Sequence, residues 1–210
     1  MPGPILFIGD SITDAGRRSS ADGLGTGWVR MVADVLRVRG ETRDILNRGV
    51  GGDRVVDLAA RWEADAVALA PSLLTVYIGI NDSWRRYSQK DPTSVEDFES
   101  GYRALLRRAT EDAHPELMLV EPFVVPVTGG QRRWAEDLDP KRNAVARLAT
   151  EFGAAFVPLQ GVLGAAAERD GAATIAADGV HPTPHGARLI AEAWLDALGS
   201  ARPPAGSAGS

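Results

Sequence analysis

The stretch Ile5-Leu6-Phe7-Ile8-Gly9-Asp10-Ser11-Ile12-Thr13-Asp14 runs from four apolar residues straight into Gly-Asp-Ser. A short apolar run bounded by glycine reads as a strand buried on both faces of a parallel sheet. In an open parallel sheet, the residues just past a strand's carboxyl end line the crevice where ligands bind. Ser11 stands at that place, where the first amides of a following helix favour negative charge. Taken alone, Ser11 also fits a helix N-cap with Asp14 three residues on, and Ser is a preferred capping residue. The rest of the chain has to decide between cap and nucleophile.

Apolar runs of the same kind recur. Arg43–Asn47 is a weaker, more polar run suited to a sheet edge, Leu73–Ile78 is strongly β-forming, and Leu117–Val120 and Ala154–Val157 follow. Helix-period segments lie between them: Trp28–Val38, Val55–Leu69, Phe98–Ala109, Ala144–Phe152, Val162–Glu168 and Ala187–Leu198. Strands alternating with helical patterns argue βαβ units and a parallel sheet covered on both faces. The 210 residues fit one α/β domain over 1–199, and the Gly-, Ser- and Pro-rich stretch 200–210 reads as a disordered tail.

Composition removes several classes of function. With no Cys, disulfides, thiolate catalysis and Cys-ligated zinc are excluded. A net charge of −5 does not attract nucleic acid or an anionic membrane. No apolar run approaches the roughly 20 residues that span a bilayer. A first strand at Ile5 leaves no room for a cleavable signal peptide, so a cytoplasmic location is expected.

Four stretches carry chemistry: Gly9-Asp10-Ser11, Gly49-Val50-Gly51-Gly52-Asp53, Gly79-Ile80-Asn81-Asp82, and Asp178-Gly179-Val180-His181-Pro182. The first three follow predicted strands and converge on one edge of the sheet, and the fourth precedes the last helix. Ser11 needs a base, and an imidazole at His181 titrates near neutrality. Asp178, three residues earlier, sits where its carboxylate folds back onto that ring and fixes the tautomer. The amides of Ser11 and Gly52 and the side chain of Asn81 are the candidate oxyanion donors. His114 is expected at the amino ends of the strands, and His185 is a weaker candidate base. The elbow Gly-x-Ser-x-Gly is absent. Gly49-x-Gly51 is followed by Arg54 where a dinucleotide loop has its third glycine, and that reading is rejected.

These motifs together resemble the SGNH, or GDSL, hydrolase family, whose four naming residues match Ser11, Gly52, Asn81 and His181, with Asp178 as the triad acid. The resemblance implies a flavodoxin-like three-layer α/β/α sandwich with a five-stranded parallel sheet, ester hydrolysis through an acyl-serine, no cofactor and no metal. From Ile5 to Tyr87, and again from 178 to 195, the chain looks like the intracellular acetylxylan esterases of that family. Asp53 stands where those enzymes often have Asn. The resemblance implies a small-molecule or oligosaccharide ester as substrate and admits a homo-oligomer.

For the sugar, Trp84 is a candidate stacking surface that equally suits the packing of a helix start, and Asp53 is a candidate contact. Trp28 and Trp134 are further candidates to line the site, whereas Trp62 and Trp194 sit on core faces. Asp10 reads as a structural hydrogen-bonding residue behind the nucleophile. A short acyl group is expected because the flanks of the motifs are polar and cationic; Phe123-Val124-Val125 is the contrary feature. Alternatives within the family are a broad arylesterase, a lipase-like enzyme or a thioesterase. Outside it stand a metal phosphoesterase using Asp10, Asp14, Asn81, Asp82, Asp178 and His181, and a sugar-binding module without catalysis.

Overall fold

A computed structural model describes residues 2–201. Five parallel strands form one sheet in the order β2-β1-β3-β4-β5: β1 (Ile5–Gly9), β2 (Ile45–Gly49), β3 (Leu73–Tyr77), β4 (Glu116–Val120) and β5 (Ala155–Val157). The helices are α1 (Ser11–Asp14), α2 (Trp28–Val38), α3 (Val55–Asp65), α4 (Ile80–Ser88), α5 (Val95–Glu111), α6 (Ala135–Glu151), α7 (Leu159–Asp170), α8 (Ala172–Ile175) and α9 (Pro184–Ala201). The expected tail begins inside α9, which takes in Gly199, Ser200 and Ala201; the remainder of that tail, 202–210, lies outside the described residues.

Side chains alternate across each strand. Ile5 and Phe7 pack with α2, α7 and α9, whereas Leu6 and Ile8 pack with α3, α5 and α6. This is the three-layer sandwich that the motifs imply. Every position of β1 and β3 is buried, which explains their unbroken apolar runs, while β2 alternates buried and half-buried as an edge strand does.

The strands are in level register: Gly9 of β1 faces Gly49 of β2 and Tyr77 of β3. The three loops that follow therefore start at the same height above the sheet. On the α2/α9 side the core is aromatic. Phe7 meets Trp28 and Trp194, each at a centroid distance of 5.2 Å, and the buried Trp194 Nε1 donates to Thr75 Oγ1 at 3.1 Å. Trp62 and Trp194 are core, as their helix faces indicate.

Three of the differences from the sequence reading have a polar cause. β2 begins at Ile45 rather than Arg43, because the Arg43 guanidinium is held by Glu41, 2.6 Å away, in the preceding turn. α6 starts at Ala135, well before Ala144, and its first turns bury charge instead of an apolar stripe: Lys141 is fully buried with its Nζ 2.5 Å from Asp137. α4 is a helix where the sequence shows only a capping pair, and the face it buries includes Asn81, Asp82 and Ser83.

Replacing Trp194 with Phe strands the buried Thr75 hydroxyl and leaves a void beside Phe7. We expect a loss of about 2–4 kcal/mol in urea unfolding, with turnover per folded molecule unchanged.

Candidate active site

α1 is a single turn, and its cap is Asp10: the Asp10 carboxylate accepts from the Ile12 amide at 3.0 Å. This overturns the reading of Ser11 as a cap. Ser11 is the first helical residue, and its hydroxyl is turned to His181, with 2.9 Å between Oγ and Nε2. The other ring nitrogen, Nδ1, is 2.6 Å from Asp178 Oδ2. With Nδ1–H donated to that carboxylate, Nε2 is left as the acceptor for the Ser11 proton, as a general base requires.

The Asp178–His181 loop is rigid by construction. Asp178 Oδ1 accepts from the amides of Val180 at 2.9 Å and His181 at 2.7 Å, so the acid organises its own turn. Partial burial pushes the Asp178 pKa up, but the hydrogen bonds from the His181 ring and from these amides outweigh it and hold the carboxyl below its ordinary value. Gly179 takes φ +86°, and a Cβ there would lie 2.8 Å from Gln131. Gln131 explains the tight fit. Its Nε2 donates to the Asp178 carbonyl at 2.6 Å, while its Oε1 accepts from the amides of Val127 and Thr128.

The loops after β2 and β3 approach Ser11 as well. The Gly51 Cα faces Ser11 so closely that a Cβ would stand 3.8 Å from the Ser11 Cβ, and Gly52 has φ +85°, which favours glycine. Asn81 Nδ2 donates to the Asp53 carbonyl at 3.0 Å, leaving its second N–H for another acceptor. Arg85 donates to the Gly52 carbonyl at 2.7 Å, and the Val55 amide donates to Asp82 at 3.2 Å. Arg61 ties the assembly to the sheet, bonding the Gly9 carbonyl at 3.0 Å, the Arg48 carbonyl at 2.8 Å and Asp53 Oδ2 at 2.7 Å.

Arg61, Arg85 and Gln131 were not legible as site residues. Arg61 and Arg85 are polar positions on helices α3 and α4, Gln131 opens the short 3-10 helix Gln131–Trp134, and nothing in the sequence names their partners. Asp53 is placed differently from expectation. Its carboxylate is paired with Arg61 at 2.7 Å and the residue is only 9% exposed, so it braces the loop after β2.

The remaining candidates separate cleanly. Trp84 is half-buried and lies between two rings, with its centroid 5.8 Å from His181 and 5.5 Å from Trp134; Trp134 in turn stacks on Tyr87. Trp28 is buried but lines a cavity of about 290 Å³ that opens on Ser11 and His181. Phe123, Val124 and Val125 are buried in the core. His185 faces Asp170 at 3.4 Å, and His114 precedes β4 at the amino end of the sheet. Among the described residues, no three His, Asp or Glu side chains form a group fit to hold a metal ion. Among the same residues, no helix is long and apolar enough to cross a membrane.

Behind the nucleophile lie two buried acids. Burial pushes Asp10 from 3.8 up to about 7, against the Ile12 amide and with the Asp82 charge adding to the rise. Burial likewise pushes Asp82 to about 6, against the Val55 amide.

The sequence profile of the GDSL-like lipase/acylhydrolase family matches residues 7–189. The chain is 34% identical over 205 residues to an acetylxylan esterase of Geobacillus stearothermophilus, covering 93% of both chains. A crystal structure of a mutant acetyl-xylooligosaccharide esterase from the same organism superposes with a TM-score of 0.86 at 31% identity, covering 94% of each chain. LAE5, an α/β hydrolase enzyme from the metagenome of Lake Arreo, gives a TM-score of 0.85 at 28% identity, covering 96% of this chain and 97% of that one.

Two outcomes follow from this geometry. Asn81→Ala lowers kcat by roughly a hundred- to a thousand-fold with KM nearly unchanged, as steady-state kinetics will show; a rise in KM alone identifies a ground-state contact instead. For Asp10 the sign is set by its raised pKa. Between about pH 4 and about pH 7 the folded protein keeps a proton that the unfolded chain has released, so stability falls as pH rises through that window. Asp10→Asn lessens this slope in urea titrations, most of all between about pH 6, where the contribution of Asp82 ends, and about pH 7.

Proposed function

Because this chain belongs to the GDSL-like lipase/acylhydrolase family, we propose that it is a serine carboxylic-ester hydrolase that removes acetyl groups from carbohydrate. The observation that carries this reading is the unbroken chain from Ser11 Oγ to His181 to Asp178, at 2.9 and 2.6 Å, at the mouth of a cavity. The carbohydrate half is supported by the match to an acetylxylan esterase along nearly the whole chain.

The chemistry runs as follows. His181 Nε2 takes the Ser11 proton as Oγ attacks the acetyl carbonyl carbon. The amides of Ser11 and Gly52 and the free N–H of Asn81 receive the negative charge on the carbonyl oxygen. Asp178, held ionised by its hydrogen bonds, stabilises the imidazolium. That imidazolium protonates the departing sugar oxygen, and the alcohol leaves an acetyl group on Ser11. Water, deprotonated by the same Nε2, attacks the acyl carbon, and Oγ regains its proton as acetate departs. Because Nε2 must be unprotonated to begin the cycle, kcat/KM falls toward acid pH.

The test is a series of nitrophenyl esters from acetate to octanoate, run beside acetylated xylo-oligosaccharides. We expect kcat/KM to be highest for acetate, to fall beyond butyrate, and to be matched or exceeded on the sugar esters. Rates that climb to octanoate overturn the acetyl reading in favour of a lipase-like or thioesterase-like enzyme, and leave the roles of Ser11, His181 and Asp178 standing.

A further inference from the structure

The two halves of an ester leave the reacting carbon in different directions, and the surroundings of Ser11 and His181 are unlike on their two sides. On one side is the open cavity of about 290 Å³, near the small end of the range for ligand pockets. It lies between the Thr26-Gly27-Trp28 turn and the Pro182-Thr183-Pro184 turn. Both walls are pinned: the Thr26 amide donates to the Ala15 carbonyl at 2.9 Å and the Thr183 amide to the Ile175 carbonyl at 2.8 Å. The cavity is therefore preformed, with the hydroxyl-bearing residues Thr26 and Thr183 among apolar neighbours.

On the other side the space beside the triad is filled with rings. His181, Trp84, Trp134 and Tyr87 follow one another at centroid distances of 5.8, 5.5 and 5.6 Å. A second hollow of about 310 Å³ lies at the far end of this row, walled by Tyr87, Arg133 and Trp134, and neither Ser11 nor His181 lines it. Trp134 stands between that hollow and Trp84, and Trp84 stands between Trp134 and His181.

We propose that Trp84 sets acyl-chain length: it is the wall against which the small acyl half of the ester rests, while the larger alcohol half occupies the cavity between Thr26 and Thr183. The argument rests on the reading of the substrate as a small acyl group on a bulky alcohol. The bulky half fits only the open side, which leaves the closed side to the acetyl methyl. Trp84 is then a specificity residue of the acyl site, not a platform for the sugar. Removing its indole opens space beside His181 as far as Trp134, whose ring gives longer acyl chains an apolar wall.

The experiment measures kcat/KM for nitrophenyl acetate, butyrate and hexanoate, and for an acetylated xylo-oligosaccharide, with wild type, Trp84→Ala and Trp84→Leu. Each methylene received by an apolar wall is worth roughly fourfold. The hexanoate-to-acetate ratio should thus rise at least about tenfold in both variants, while the ratio of sugar ester to nitrophenyl acetate stays level. Ratios within one variant cancel any general loss from the contact with His181. An unchanged hexanoate-to-acetate ratio overturns the proposal, and so does a loss confined to the sugar ester, which would place the alcohol on Trp84.

Thr26→Trp, at an exposed position on the opposite wall, gives an independent reading. It should raise KM for the oligosaccharide ester relative to that for ethyl acetate, and a shift in acyl preference there instead contradicts the assignment. Wild type answers the underlying question separately. If it cleaves octanoate best, the acetyl reading fails. If it prefers acetate and Trp84→Ala keeps that preference, only the role of Trp84 fails.

Discussion

The level register of three adjacent parallel strands is the constraint on which the site depends. Gly9, Gly49 and Tyr77 stand side by side across the sheet, so the chain segments that leave β1, β2 and β3 emerge at one height. Ser11, Gly52 and Asn81 come from segments far apart in sequence and are brought to one edge by the register of the strands they follow. A shift of one residue in β2, where buried and half-buried positions alternate, would bring Arg48 to a buried position. His181 and Asp178 then arrive on the remaining side, in the loop that leads into α9.

Bringing loops together does not hold them still, and much of the polar interior serves that second purpose. Arg61 binds the carbonyls at the ends of β1 and β2 along with the carboxylate of Asp53. Arg85 and Asn81, one turn apart on α4, fix the carbonyls of Gly52 and Asp53. Gln131 uses both ends of its amide to lock the Asp178 loop to the segment after β4. These contacts hold Gly52, Asn81 and the His181 loop in place, the fixed arrangement that the proposed oxyanion donors and base need while charge develops. The buried acids Asp10 and Asp82 belong to the same scaffold: each accepts a backbone amide beside the site at the expense of burying a carboxyl.

What the sequence made legible follows the same division. β1 and β3 are buried on both faces, so their apolar runs announce them. The residues that follow them are punctuated by Gly, Asp and Asn in a spacing that local chemistry explains. The spacing of Asp178 and His181 is likewise local, since one short turn brings them together. Polar burial was not legible. The early turns of α6, with Lys141 and Asp137 paired inside the protein, look like a solvated stretch in sequence. α4 hides its helical character behind Asn, Asp and Ser on its buried face. The partners of Arg61 and Gln131, and the pairing of Asp53 with Arg61, depend on long-range geometry that no local pattern records. Trp84 is the clearest case: the sequence places an indole near the site, and only the rings on either side of it show which space it fills.

The central claim is that Ser11 carries the acyl group between the two halves of the reaction. The direct test is to quench the enzyme with acid during turnover of nitrophenyl acetate and map the adduct by peptide mass spectrometry. The account predicts acetyl on Ser11, absent from a Ser11→Ala protein that folds normally. An acetyl group on another residue, or steady turnover by Ser11→Ala with no covalent adduct, would contradict it.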